Sequence, residues 1–514
     1  MFKKTLLLSL AASSLLATNG VNMIGTDTVS RSMGGTGVAF YSHAASAMHK
    51  NVALLGDIGK DEFQVDMTYF NATVTSSVTD GNPIGMPSAG KGTAESQNML
   101  DTNFIPSMSY ATRIDENMVF GVAMIGAAGM AVNYEGSYPQ RQLKSSMMLM
   151  KIIPGVSYRQ GNVTFGFAPV LGLGSMSLNY DEDYKKADGS VYADGTKPQS
   201  QRSGLFGTNI GGDSLVPALG FTAGIDIKVT ERLRVGASYN SSLSYTYKEV
   251  ANFSQFGPHG MVYMADEFLG GVLDPNQAIQ TIDGGSLQQD LISKFTSSGL
   301  DLSTATATAD ALLALMPDGT IGNSLSAASP SKLDDLTLEQ PWELAIGFAY
   351  DVTEKMTFTA DYRYIDWAST EGYGTFGWES QHVFAMGAEY KAKNYSLRFG
   401  YNYANSPIKA VTEEFGSLLT DVQGKYVFDQ ALSMLNMVGF PAIATTHFTA
   451  GLGYAITDDM DLDFAMTYSP EATVTRSGTL LPLDIIYDGL SAFDYEYTTT
   501  MQQITLSAGL NYRF

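Results

Sequence analysis

Apolar and polar residues alternate with a period of two along most of the chain. Phe63, Val65, Met67 and Tyr69 share one face of an extended segment whose other face carries Gln64, Asp66 and Thr68. Leu344, Ile346, Phe348 and Tyr350 oppose Ala345, Gly347 and Ala349, and Met356, Phe358, Ala360, Tyr362 and Tyr364 oppose Thr357, Thr359, Asp361 and Arg363. Leu397, Phe399, Tyr401 and Tyr403 alternate with Ser396, Arg398, Gly400 and Asn402, and the pattern runs to the last residue through Ile504, Leu506, Ala508, Leu510, Tyr512 and Phe514. This period predicts β-strands. One face is apolar with aromatics near its ends, the other small, polar or charged, as a strand needs between hydrocarbon and a polar lumen.

Fourteen such segments are predicted, near 62–74, 101–113, 117–132, 147–159, 162–179, 214–229, 232–248, 339–352, 355–369, 380–391, 394–406, 444–457, 460–473 and 501–514. Each is long enough for the roughly nine to eleven tilted residues that a bilayer requires. Tight polar links at Asp115-Glu116-Asn117, Gln160-Gly161-Asn162, Thr230-Glu231, Thr353-Glu354, Lys391-Ala392-Lys393 and Asp458-Asp459 alternate with long connections, among them 180–213, 249–338 and 407–443. In an antiparallel meander that alternation puts all short turns at one end and all long loops at the other. The fold class predicted is all-β: a 14-stranded antiparallel transmembrane β-barrel, residues 62–514, whose even strand count lets the sheet close without an edge.

Composition and the N-terminus narrow the setting. Lys3 and Lys4 precede an apolar run from Leu6 to Leu16, then Ala17, Thr18, Asn19 and Gly20, the layout of a secretory signal over 1–20. At about 1.5 Å per helical residue that run is too short to span about 30 Å of hydrocarbon. A net charge of −22 gives nucleic-acid binding no electrostatic support, and the absence of Cys excludes disulfides, thiolate metal sites and a Cys nucleophile. A hydrolase would have to draw on His382 or His447, neither of which carries a local signature. No enzymatic role, no cofactor and no metal site is expected.

Residues 21–61 do not alternate. Met33-Gly34-Gly35-Thr36-Gly37-Val38-Ala39 requires tight backbone but lacks the preceding strand and the Lys of a phosphate loop. This segment and Asn51-Val52-Ala53-Leu54-Leu55 resemble the N-terminal hatch of the FadL/TodX family of outer-membrane hydrophobic-compound transporters, for long-chain fatty acids among others. Ile153-Pro154-Gly155-Val156-Ser157-Tyr158, Pro217-Ala218-Leu219-Gly220-Phe221, Gln340-Pro341-Trp342 and Asp361-Tyr362-Arg363-Tyr364-Ile365-Asp366-Trp367 extend the resemblance in order along the chain. Where that family usually has Asn-Pro-Ala, this chain has Asn51-Val52-Ala53.

The resemblance implies a Gram-negative outer-membrane location and a hatch over 21–61 plugging the lumen, with Gly34, Gly35, Gly37, Asn51 and Ala53 as its marked residues. It also implies passive uptake of fatty acids or other hydrophobic molecules, captured by external loops and released sideways through a kink in the third strand. Gly126 and Gly129 are the kink candidates, since strand glycines mark bulges and bends. Phe253, Phe256, Met261, Met264, Phe268 and Leu269 are candidates for an external groove, with helical spacing at Leu287, Leu291, Ile292 and Phe295 and again near Leu312–Met316. A fatty-acid carboxylate would want a cation, for which Arg141, Lys144, Lys151, Arg363 and Arg398 are candidates; an uncharged hydrocarbon would need none. The expected partners are such molecules, outer-membrane lipid and lipopolysaccharide, and the barrel-assembly machinery, with the chain monomeric. An aromatic-hydrocarbon channel of the same family, a general porin and a surface adhesin are the competing readings.

Overall fold

In the computed structural model, residues 18–80, 92–96, 104–134, 143–180, 210–251, 334–374, 377–408, 436–480 and 493–514 are described, together with isolated residues between 289 and 306. Fourteen strands close into one antiparallel barrel. They are β1 (Glu62–Asp80), β2 (Phe104–Arg113), β3 (Met118–Asn133), β4 (Leu143–Gln160), β5 (Val163–Tyr180) and β6 (Ile210–Lys228). β7 runs Leu233–Asn240 and resumes at Leu243–Ala251; β8 runs Asp334–Gln340 and resumes at Glu343–Thr353. β9 (Met356–Ile365), β10 (Gln381–Lys391), β11 (Tyr395–Ala404), β12 (Thr446–Thr457), β13 (Met460–Leu480) and β14 (Phe493–Arg513) complete the wall. Closure comes from β14 pairing along β1, from Arg513↔Glu62 to Glu496↔Asp80.

The alternation sorts as the sequence predicts. Phe63, Met67, Ile346, Phe348, Phe399, Phe448, Phe464 and Leu506 are exposed on the outer wall, while Gln64, Asp66, Thr68, Arg363, Asn402 and Ser507 are buried inside. Tyrosines gather near the short turns, where Phe514 stacks on Tyr110 with ring centroids 6.4 Å apart. A second aromatic row, Phe221–Tyr239–Trp342–Tyr364, has successive centroids 5.8, 6.1 and 5.4 Å apart. Two such belts bracket the hydrocarbon layer.

The short turns close through their own polar side chains. Asp115 Oδ1 accepts from Asn117 N and Met118 N at 2.8 Å each, and Thr230 Oγ1 accepts from Leu233 N at 3.0 Å. Gly161 takes the φ of +62° that its tight turn requires.

Three predicted strands depart from expectation. The strands predicted at 232–248 and 339–352 are each interrupted, at Ser241-Ser242 and Pro341-Trp342. Their outer halves pair only with each other, from Leu243↔Gln340 to Tyr247↔Leu336, and turn into the lumen. Pro341 has no N–H to carry the ladder onward, and the period-two pattern runs through the interruption unchanged. The strand predicted to reach 369 stops at Ile365, where a 3₁₀ turn (Trp367–Ser369) buries Trp367. In the longest loop Gln289, Ile292, Ser293, Thr296, Leu302, Ser303, Ala305 and Thr306 are helical and Asp301 is not; Leu287, Leu291, Phe295 and Leu312–Met316, where helical spacing is predicted, lie with the rest of 252–333 outside the described residues.

The outer wall supplies a direct test. Phe399, 63% exposed near the middle of β11, should not tolerate a charge. Phe399→Arg is expected to cost about 2–4 kcal/mol of stability in lipid, whereas Phe399→Leu should be nearly neutral. Denaturant titration of the bilayer-inserted protein measures both.

Candidate functional site

Residues 18–58, the first three of them within the span predicted as a signal, lie inside the barrel, in contact with lumen-facing groups around most of its circumference. The segment contains two short helices, α1 (Thr28–Ser32) and α2 (Ala44–Lys50), then a 3₁₀ turn over Val52–Asp57. Asp27 caps α1 by accepting from Ser30 N at 2.6 Å. Other bonds of the segment reach the wall. Thr28 N donates to Asp66 Oδ1 (2.9 Å), Ala44 N to Glu62 Oε1 (2.7 Å), and Gly37 N and Val38 N to Asp361 Oδ2 (2.8 and 3.0 Å). Gly34 N donates to Thr449 Oγ1 and its carbonyl accepts from Asn402 Nδ2, both at 3.0 Å. Three wall carboxylates thus hold backbone amides that no helix or sheet satisfies.

The marked glycines and Asn51 serve the folding of the segment or its docking. Gly35 has φ +80°, and a Cβ there would lie 1.7 Å from Ile24 O; Gly34, at φ +70°, sits 2.6 Å by the same measure from Tyr401 O. Gly37 leaves room for Ser46 Oγ. Asn51 Nδ2 donates to Val38 O (2.7 Å) and to Ile225 O of β6 (3.0 Å), while its Oδ1 caps the 3₁₀ turn through Ala53 N (3.1 Å). Ala53 N in turn lies 2.2 Å from where Gly166 would place a Cβ.

Wall glycines were the signal missed in the sequence. Gly166↔Gly224, Gly236↔Gly347 and Gly387↔Gly400 are direct cross-strand neighbours on the lumen face, and a Cβ at any of them would overlap the inner segment. Next to them stand the acceptors, as in Gly347↔Asp361 and Gly509↔Asp66. Glycine removes the side chain where the inner backbone approaches, and the neighbouring carboxylate reaches across.

Between α2 and β4–β7 lies a cavity of about 10 Å³, the room of one water molecule, lined by Met48, His49, Lys151, Ile153, Val170, Thr222, Asn240 and Leu243 among others. Of the cation candidates, Lys151 is on its wall. Arg363 is buried, bonded through Nη1 to Glu343 Oε2 at 3.3 Å, and its Nε and Nη2 have no partner. Lys50, which the sequence reading passed over, is buried beside Arg363, Lys151, Glu343 and Asp361 with no partner for Nζ. Burial pushes its amine down to about 7, with the Arg363 guanidinium adding to the effect and the two carboxylates opposing it. His49 is held well below the usual imidazole range by burial and then by Lys151, Lys50 and Arg363, so it is neutral. Arg398 stands apart: its guanidinium bridges Glu389 Oε1 (2.8 Å) and Asp463 Oδ1 (2.6 Å). Arg141 and the side chain of Lys144 lie outside the described residues, as do Phe253, Phe256, Met261, Met264, Phe268 and Leu269.

At the third strand the wall changes partner. β2 pairs with β3 only as far as Ser107↔Ile125. The β3–β4 register then shifts between Gly126 and Ala128, leaving Ala127 as a bulge. Beyond it, Asn22 pairs with Ala128, and Gly129 N donates to Val21 O at 3.0 Å. The inner segment takes the place of β2, and Met23, Phe70, Ile105 and Ala131 form a small apolar cluster there. Of the two histidines, His382 Nδ1 lies 2.7 Å from Tyr362 Oη on the outer wall, and buried His447 meets Gln503 at 3.4 Å.

The family model described as outer membrane protein transport protein (OMPP1/FadL/TodX) matches residues 8–415. A Haemophilus influenzae protein, outer membrane protein P1, is 23% identical over 272 residues, 47% of this chain; the chain spans 58% of that relative. Among solved structures, a Pseudomonas aeruginosa FadL homologue has a TM-score of 0.55 at 15% identity, covering 96% of this chain and all of its own. The Pseudomonas putida toluene transporter TodX follows at 0.54 and 15% (95% and 99% covered), and the Ralstonia pickettii toluene transporter TbuX at 0.51 and 17% (95% and 98%).

Two outcomes test the site. Gly236→Val would drive a side chain into Val38 O, which lies 2.0 Å from where the new Cβ would sit, so the barrel should insert while the inner segment loosens and becomes open to protease. A barrel that keeps residues 18–60 protected would contradict the docking described. Lys50 gives a pH dependence. Its folded value lies below the unfolded one, so the unfolded chain binds more protons between about 7 and 10.5, and stability should rise across that window. Lys50→Met should flatten the rise; parallel melting-temperature profiles for the two proteins would refute it.

Proposed function

The chain belongs to the outer membrane protein transport protein family (OMPP1/FadL/TodX), β-barrel transporters of hydrophobic compounds, and we propose that it carries long-chain fatty acids or similar carboxylate-bearing molecules passively into the cell envelope. The observation that carries this reading is the group of interior cations with spare donors. Lys50 Nζ and Arg363 Nε and Nη2 are buried without partners, next to the cavity-lining Lys151. Buried donors and charges left unmatched are costly, and an arriving carboxylate would satisfy them. The inner segment acts as a hatch that denies polar solutes a straight path. Cargo is captured by the long loops, passes to the interior, and leaves sideways at β3, where β2 ends its pairing and the Gly126–Gly129 stretch bends.

A second reading, an aromatic-hydrocarbon channel, is favoured by the likeness to two toluene transporters. The buried Trp367–Tyr373–Trp378 cluster, with centroids 4.8–4.9 Å apart, also suits uncharged aromatic cargo. The protein acts as a monomer inserted by the barrel-assembly machinery.

Oleate and toluene separate the two readings. Lys50→Met combined with Lys151→Met should lower oleate uptake about tenfold, a loss of ~1.4 kcal/mol in binding, and leave toluene uptake unchanged. Equal effects on both would remove the carboxylate assignment. Gly126→Val with Gly129→Val should reduce uptake of either in a normally inserted barrel; a Cβ at 126 would lie 2.4 Å from Ile105 Cγ2. Unaltered uptake would discard the lateral exit. Fast liposome swelling in sugars would point instead to an open porin.

A further inference from the structure

We propose that the seam left beside β6 by the inward-turned halves of β7 and β8 is an entry portal to the interior cavity, gated by that hairpin. Its ligands are amphiphiles with an apolar body and one polar head, and the proposal rests on the transport reading above.

β6 pairs with β7 only up to Thr222↔Asn240. Ser241 then closes the ladder, its N–H donating to Phe221 O (2.9 Å) and its Oγ accepting from Phe221 N (2.8 Å). From there to Ile210, no described strand pairs with that edge of β6. Pro217 falls on the same alternation as Phe221 and presents no N–H to that edge, and Pro341 interrupts β8 at the matching place. Two prolines at one seam stop the hairpin from zipping back into the wall.

The hairpin instead lies across the lumen face of β5 and β6. Leu243 covers Gly220, and Tyr245 covers Gly172 and Gly174, where added Cβ atoms would meet it at 2.2–2.7 Å. Its inward face, Leu243, Tyr245, Tyr247, Leu336 and Leu338, is buried; its outward face carries exposed Ser244, Lys248 and Asp335. A polar outward face places the seam above the hydrocarbon, just outside the aromatic row that ends at Phe221, Tyr239 and Trp342. On the outer lip Leu219 is 80% exposed.

The docked hairpin is incompletely satisfied. The hydroxyls of Tyr245 and Tyr247 are buried with no hydrogen-bond partner. Contacts to the segment after β9 hold it from the other side, through Glu339 N to Glu371 O (2.9 Å) and Gln340 Nε2 to Tyr373 Oη (2.7 Å). Ser241 and Leu243, at its hinge, form the roof of the cavity that Lys151 lines. Swinging the hairpin outward uncovers that cavity, and an entering polar head meets the two tyrosine hydroxyls and then the lysine.

The chain has no cysteine, so engineered thiols report cleanly. Gly174→Cys with Tyr245→Cys should form a disulfide that locks the hairpin inward. Oxidised protein is expected to take up oleate at least about tenfold more slowly than the same protein after dithiothreitol; equal rates with the bond fully formed would overturn the portal. A second measurement does not depend on transport. Nitroxides on Ser244→Cys and Thr475→Cys should show a second distance population when oleate is added. One sharp distance, unmoved by oleate, would overturn the gate. Failure of the unmodified protein to carry oleate or toluene would sink the transport reading, while the spin-label distances still judge the hairpin.

Discussion

A backbone amide in hydrocarbon has no partner except another backbone group, and leaving one unmatched costs several kcal/mol. That constraint closes the barrel from β14 onto β1 and leaves few permitted ways for a strand to leave its neighbour. The wall uses two of them. Beyond Ile125, β3 loses β2 and gains the inner segment, so Gly129 N meets Val21 O. Beyond Phe221, β6 loses β7 and gains no other strand among the described residues. That separation occurs at the aromatic row, where water and sugar begin, and Pro217 has removed an amide from that edge. The departure within the apolar layer is covered by the inner segment, and the one at its border has no strand partner among the described residues.

The same constraint governs the interior. Residues 18–60 carry little regular structure, so their amides need acceptors from elsewhere. Asp66, Asp361 and Glu62 supply them from the wall, and glycine faces the segment where backbone meets backbone. A side chain at Gly236 or Gly400 would hold the segment off and strand the carboxylates unpaired beside it. The docking is therefore a single fitted arrangement. Small residues on the lumen face and acids within reach of them belong to one device.

The barrel was legible because lipid on one side and protein or water on the other impose period two, which Phe399 and Asn402 obey as plainly as Leu506 and Ser507. Strand count and turn positions follow from the same signal together with the polar links. What the pattern hides is where a strand stops belonging to the wall. Tyr245 and Tyr247 keep the alternation of Tyr239 although their apolar face is now turned to the lumen, so Pro341 was the sole local hint of the change. Gly347 and Gly400 read as ordinary small lumen residues, since only the fold shows that Val38 and Gly34 press on them. Lys50 was overlooked because a lone lysine in an Ala-rich stretch looks solvated. Its isolation is produced by burial of α2 against β2, β3 and β4.

That isolation is informative when set against the other interior cations. Arg398 lies between Glu389 and Asp463, and Arg234 bridges Asp57 and Asp226. The chain holds 52 acids to 30 basic residues, so a shortage of carboxylates does not explain why Lys50 Nζ and two nitrogens of Arg363 lack partners. Asp361 is close enough to matter to Lys50 electrostatically, yet its Oδ2 is engaged by the Gly37 and Val38 amides. Glu343 reaches Arg363 through one nitrogen only. The acids near this point are used to hold the inner segment, and the cations are left with donors to spare. Open donors recur inside this barrel, as at Arg234 Nε, but Lys50 and Arg363 bring theirs together near the cavity-lining Lys151, and that grouping is what the proposed carboxylate site rests on.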